Sequence, residues 1–121
     1  HYNDSYGHNV GDYILKTAVQ VIKDSLKKIS YKSIFARYGG EEFIIVFDIN
    51  DKEKLFNSME FIRNKINETD FSTEEYSLKA TASLGGAIKE ENISLDDFID
   101  NADKSLYKAK QSGRNKSIIL N

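Results

Sequence analysis

The chain has 121 residues, 40% of them apolar and 30% charged, which is the balance of one globular domain and too short for two. It holds no cysteine and only two histidines, His1 and His8, so disulfides, thiolate metal sites, a cysteine nucleophile and a multi-histidine zinc site are excluded. A net charge of −2 argues against a nucleic-acid partner but not against one anionic ligand, and no apolar run approaches the ~20 residues of a membrane-spanning helix.

In chain order, Asn9 to Lys28 is predicted to be a helix. Its apolar residues Leu15, Ala18, Val19, Ile22, Leu26 and Ile29 recur at three- and four-residue spacing. Asn9 is the candidate cap, with Asp12 closing a capping box. Ser33–Tyr38 and Phe43–Phe47 are short β-branched and aromatic runs around Gly39-Gly40-Glu41-Glu42, the pattern of a hairpin. The second run is apolar throughout, which predicts a strand buried on both faces. Asp51–Asn67 is predicted as a helix with Asn50 as its cap and Leu55, Met59, Ile62 and Ile66 on its inner face. Phe71–Tyr76 reads as a loop or short strand. Tyr76–Ile88 alternates like a strand, with Gly85-Gly86 marking a bulge or a close approach. Ser94–Gln111 is a helix capped by Ser94 and carrying Leu95, Phe98, Ile99, Ala102, Leu106 and Ala109 in one stripe. Gly113 closes it as a C′ glycine, and Ser117–Leu120 is a last strand. This order implies an α+β sandwich with a mainly antiparallel sheet and flanking helices.

The chain has no proline, and its seven glycines are grouped at Gly7 and Gly11, Gly39 and Gly40, Gly85 and Gly86, and Gly113. The turn Arg37-Tyr38-Gly39-Gly40-Glu41-Glu42-Phe43 carries the strongest chemistry. Adjacent carboxylates repel, so Glu41 and Glu42 together offer no evident folding benefit. They suit a hard cation that also takes substrate phosphate, or else they form a solvated acidic hairpin. Lys110 and Arg114 are cations at a helix end, where they either complement the dipole or meet an anion. Asp12 is either a capping residue or an acceptor for a ligand's N–H groups. Arg37 is a structural or active-face cation. His8 is read as a structural residue of the segment that sets up the first helix, not as a catalytic base.

Taken together, these segments resemble the GGDEF domains, the diguanylate cyclases, in their GGEEF form. Gly39-Gly40-Glu41-Glu42-Phe43 is similar to the family signature, and Asn3-Asp4-Ser5-Tyr6-Gly7-His8-Asn9-Val10-Gly11-Asp12 to its N-D-x-x-G-H-x-x-G-D segment. Ala82–Ala87 resembles the S-[IL]-G-x-A strand, and Ala102–Asn115 the closing A-D-x-x-[LM]-Y-x-A-K-x-x-G-R-N. The resemblance implies a ferredoxin-like, nucleotide-cyclase-type sandwich. It implies that two GTP molecules, one on each of two facing domains, are joined into cyclic di-GMP with release of pyrophosphate, assisted by Mg2+ or Mn2+. Glu41 then matches the catalytic and metal-binding acid and Glu42 its metal-site neighbour. Asn3 and Asp12 match the guanine-reading pair, Gly39 and Gly40 the turn against which phosphates lie, and Lys110 and Arg114 the cations near the triphosphate. The expected partners are GTP, a second GGDEF domain and a covalently linked sensor or regulatory domain, in the cytoplasm. A GTP-binding regulatory module without turnover is the alternative.

Two departures from the family pattern bear on this. Its inhibitory product site, R-x-x-D, falls here on Ser30-Tyr31-Lys32-Ser33, which has neither the arginine nor the aspartate. The family's first strand, ending in D-x-D-x-F-K before the N-D segment, is not found before Asn3. Residues 1–121 are therefore expected to be a GGDEF domain short of its first strand and, alone, poorly active.

Overall fold

A computed structural model describes residues 8–121. Helix α1 (His8–Lys28) leads into strands β1 (Ser33–Gly39) and β2 (Glu42–Phe47). Then come helix α2 (Lys52–Glu68), strand β3 (Leu84–Gly86), helix α3 (Leu95–Gln111) and strand β4 (Ser117–Ile119). The α+β class is as expected. The two ladders differ in sense, however: β1–β2 is antiparallel and β3–β4 parallel. The parallel pair follows from the connection, because a whole helix, α3, separates its strands and returns the chain in the same direction.

Helix α1 begins at His8, so Asn9 lies inside the helix and the expected Asn9–Asp12 capping box does not form. A cap must sit outside helical dihedrals for its side chain to reach back to the free N–H groups. The helix buries Ile14, Ile22 and Ser25, and the Ser25 hydroxyl is satisfied by donating to the Val21 carbonyl at 2.8 Å. Helix α2 is capped by Asp51 rather than Asn50. The Asp51 carboxylate accepts from the Lys54 N–H at 3.0 Å, the spacing that a capping oxygen requires. Leu55, Met59, Ile62 and Ile66 are all buried, as their spacing predicted. Ile14 and Ile22 of α1 meet Ile62 and Ile66 of α2 in the main core, with Phe71 and Leu78 completing it.

The β1–β2 hairpin pairs Ser33 with Phe47 through Arg37 with Phe43, then shifts register so that Gly39 opposes Glu42. That leaves Gly40 and Glu41 as a two-residue turn. Phe35, Ile45 and Phe47 pack against the core. The paired Ile34 and Val46 are 70% and 44% exposed, so β2 is not buried on both faces as expected. Among the described residues β2 pairs only with β1.

The predicted strand 76–88 shrinks to Leu84–Gly86. Burial does alternate through 76–82, with Ser77, Lys79 and Thr81 exposed between inward Tyr76, Leu78, Ala80 and Ala82. A ladder needs a neighbour, and among the described residues β4 supplies one only at Leu84–Gly86. Upstream, the chain bonds to itself. Phe71 N–H donates to the Leu78 carbonyl and Thr73 N–H to the Tyr76 carbonyl. These bonds hold Phe71 and Leu78 in the core.

Helix α3 behaves as its sequence predicts. Ser94 caps it by accepting from Asp97 N–H at 3.0 Å, and Lys108 and Lys110 occupy its last turn. It ends in a Schellman arrangement: Gly113 has φ +117° and Arg114 N–H donates back to the Ala109 carbonyl at 2.9 Å. Gly85 sets how closely α3 lies on β3. A Cβ there would collide with the Leu106 backbone nitrogen and lie 2.5 Å from the Ala102 carbonyl oxygen.

Candidate active site

The hairpin turn is built by three features of its sequence. Gly40 adopts φ +49°, a conformation that costs an L-residue energy. Arg37, three residues earlier, donates Nε and Nη2 to the Gly40 carbonyl at 2.9 and 2.6 Å. A guanidinium fork on one oxygen fixes the orientation of that peptide plane. This gives Arg37 the role that its sequence left open. Finally, a Cβ at Gly39 or Gly40 would meet nothing within 4 Å. Among the described residues no side chain or backbone crowds either position, so the turn backbone is open on its surface.

Glu41 completes the turn and Glu42 opens β2, and both side chains are exposed. Across from them, the Lys110 ammonium lies 3.7 Å from the Glu42 carboxylate, joining the hairpin to the end of α3. With Lys110 38% and Glu42 49% exposed, water screens the pair, and it contributes little to stability. Its value is local: it holds a cation within reach of the turn.

Arg114 follows the Schellman turn with φ +62°, and Asn115 has φ +47°. This left-handed stretch carries Arg114 to the same cavity, of about 1410 Å3, that Gly39, Gly40, Glu41, Glu42 and Lys110 line. Gly11 reaches it from α1, and Ser83 and Asp103 also face it. Asp12 is exposed on α1, next to Gly11. Asn3 lies outside the described residues. So six of the eight predicted site residues, namely Gly39, Gly40, Glu41, Glu42, Lys110 and Arg114, line one cavity, although 73 residues of chain lie between Gly40 and Arg114.

The sequence profile described as "Diguanylate cyclase, GGDEF domain" matches residues 1–116. The chain belongs to the GGDEF family. The GGDEF domain is 35% identical over 120 residues to "Probable diguanylate cyclase DgcT" of Escherichia coli K12, covering 97% of this chain and 26% of that protein. The chain thus spans about a quarter of that curated relative's length. Its fold matches the diguanylate cyclase SiaD of Pseudomonas aeruginosa, crystallised with its activator SiaC. The TM-score is 0.89 at 25% identity, over 98% of this chain and 44% of that one. It also matches the coiled-coil and GGDEF structure of Caulobacter crescentus DgcB in complex with c-di-GMP. There the TM-score is 0.84 at 25% identity, over 98% of this chain and 62% of that one.

The GGDEF domain contains no group of three His, Cys, Asp or Glu side chains placed to hold a metal among the described residues. The donor set beside the turn is the carboxylate pair Glu41 and Glu42. None of the described helices is long and apolar enough to cross a membrane. Two residues outside the predicted site set hold the loop after α3: Arg63, which donates to Asn115, and Ser83 of the Ala82–Ala87 segment, whose hydroxyl accepts from the Asn115 N–H at 3.2 Å. Arg63 lies on α2 outside every matched segment, so no local pattern could have marked it.

Proposed function

We propose that the protein carrying this GGDEF domain condenses two GTP molecules into cyclic di-GMP, with two such domains facing each other. The observation that carries this reading is the bare Gly39–Gly40 turn, with two carboxylates, Lys110 and Arg114 lining the same cavity. A triphosphate needs this combination: backbone it can approach closely, cations for its charge, and carboxylates for the accompanying divalent ion. Two adjacent carboxylates fit magnesium or manganese, which takes its remaining oxygens from phosphate and water. When bound through Glu41 and Glu42, such an ion would neutralise charge developing on the phosphates.

The protein groups divide the remaining work. Lys110 and Arg114 bind the triphosphate along the cavity, and the Gly39–Gly40 backbone orients it. Asp12, with Asn3, reads the guanine edge, a carboxylate accepting from its N–H groups. Glu41 accepts the proton of the attacking 3′-hydroxyl. The new bond joins that oxygen to the α-phosphorus of the facing GTP. The α-phosphorus–oxygen bond to the β-phosphate breaks, and pyrophosphate leaves with the electron pair. A second, symmetric step closes the ring. The reaction needs GTP, which places the domain in the cytoplasm, and a linked regulatory domain would control the meeting of two copies. Nucleic acid has no part in it.

We also infer that a further strand of the domain lies along the apolar part of the cavity, leaving the end beside Gly39, Gly40, Lys110 and Arg114 to the nucleotide. The outer edge of β2 lines it along Phe43–Phe47, the segment 80–87 lines the opposite side, and the α3 stripe Leu95, Phe98, Ile99, Ala102 and Leu106 faces it. These apolar side chains, together with a β2 edge that pairs with no further strand among the described residues, suit an extended apolar segment.

The test is turnover of GTP with Mg2+ by the full-length protein, with chromatographic identification of the product. Glu41→Gln is expected to lower turnover on the order of 100-fold or more while GTP still raises the melting temperature. Wild-type turnover by Glu41→Gln would overturn the assignment. Thermal protection by GTP with no product from the unaltered protein would mark it as a regulatory module instead.

A further inference from the structure

Arg63 stands on α2, away from the signature, yet every nitrogen of its guanidinium has an acceptor. Nε and Nη2 donate to the two oxygens of Glu60 at 2.6 and 2.9 Å, and Nη2 also donates to Asn64 Oδ1 at 3.0 Å. Nη1 donates to Asn115 Oδ1 at 2.7 Å and to the Asn115 carbonyl at 3.4 Å, across 52 residues of sequence. The Arg63 side chain is only 15% exposed and that of Glu60 27%. Glu60 grips one edge of the planar fork and so fixes the direction of the other.

The residue it holds is the neighbour of Arg114. Asn115 is tied at its N–H to Ser83, and at its carbonyl and side chain to Arg63. Arg114 is tied at its N–H to Ala109. Gly113, Arg114 and Asn115 all have positive φ. Non-glycine residues persist in that conformation only where their surroundings over-determine it. Here the surroundings are Arg63 and Ser83.

We propose that Arg63, braced by Glu60, is a positioning residue for nucleotide binding: by clamping Asn115 it fixes the left-handed loop that aims Arg114 into the cavity beside the Gly39–Gly40 turn. The proposal rests on the reading of Arg114 as a triphosphate contact. It makes Arg63 act only through Arg114, and a purely structural brace would not show that dependence.

The experiment is a double-mutant cycle in the full-length protein. It reads binding of GTP with Mg2+, the KM and kcat of turnover, and the melting temperature. Arg63→Lys is expected to weaken GTP binding roughly five- to tenfold and to raise KM while kcat at saturating GTP stays near the wild-type value. Asn115→Gly keeps the left-handed backbone but removes the side-chain acceptor, and is expected to show the same loss. Arg114→Ala is expected to lose at least as much, and adding Arg63→Lys or Asn115→Gly to it to cost nothing further. Losses that multiply in the double variants would overturn the proposal. So would unchanged binding in Arg63→Lys and Asn115→Gly alongside a weakened Arg114→Ala. Unchanged binding in Arg114→Ala would instead remove the reading of Arg114 itself, and the proposal with it. Should Arg63→Lys fail to fold, Asn115→Gly and its double variant decide the question alone.

Discussion

At the scale of single residues, charge placement governs what this domain can do. Glu60 is an example outside the turn. The Arg63 guanidinium bonded to it holds its carboxyl below the usual value of 4.5, against the opposing effect of burial. A lowered folded value means that this stabilisation is complete above the ordinary carboxylate range. It is lost as pH falls through the folded value. The stability difference between the wild type and Glu60→Gln is therefore expected to be largest near neutral pH and to shrink steadily below about pH 4.5, as read by urea unfolding at several pH values. A gap that grows on acidification would contradict this. The stretch Ser30-Tyr31-Lys32-Ser33 makes a second prediction at this scale. Without arginine or aspartate it cannot form the bidentate contacts that grip phosphate and guanine edges. Titration of cyclic di-GMP against the isolated domain should show no submicromolar binding through this segment.

At the scale of elements, close packing of α3 on β3 is the strongest constraint. Gly85→Ala would press a methyl group onto the backbone of Leu106 and Ala102, which cannot rotate away as a side chain can. A loss of about 3 kcal/mol in unfolding free energy is expected, with a matching drop in melting temperature. A neutral result would mean that α3 can slide on β3. The consequence is functional as well, because Lys110 and Arg114 leave from the far end of the same helix. A shift of α3 would move both cations relative to the hairpin turn.

At the scale of the whole molecule, the described elements form two small ladders, β1–β2 and β3–β4, with a large cavity between the β2 edge and the segment 80–87. The full-length protein is expected to melt higher and to turn over GTP faster than residues 1–121 alone. Equal activity and equal melting temperature in the two would sink the inference that a further strand lies along the apolar part of the cavity.

The sequence by itself determined the elements whose signals are local. Helix α3 was legible from Ser94 to Gly113 because its cap, apolar stripe and terminating glycine all lie within one segment and agree. The hairpin was legible for the same reason, and six of the residues that the motifs marked line one cavity. The extent of the strand at 76–88 was not legible: alternation sets which side chains point inward, and does so here, but hydrogen bonding depends on a neighbour that may be far away in sequence or absent. The cap of α2 moved from Asn50 to Asp51 because either side chain could serve, and the path of the chain into the helix selects one. Only the tertiary structure could show that Arg37 forks onto the Gly40 carbonyl, that Lys110 stands opposite Glu42, and that Arg63 holds Asn115. Those contacts join residues on different elements, and their geometry is decided by packing rather than by any pattern within a single segment.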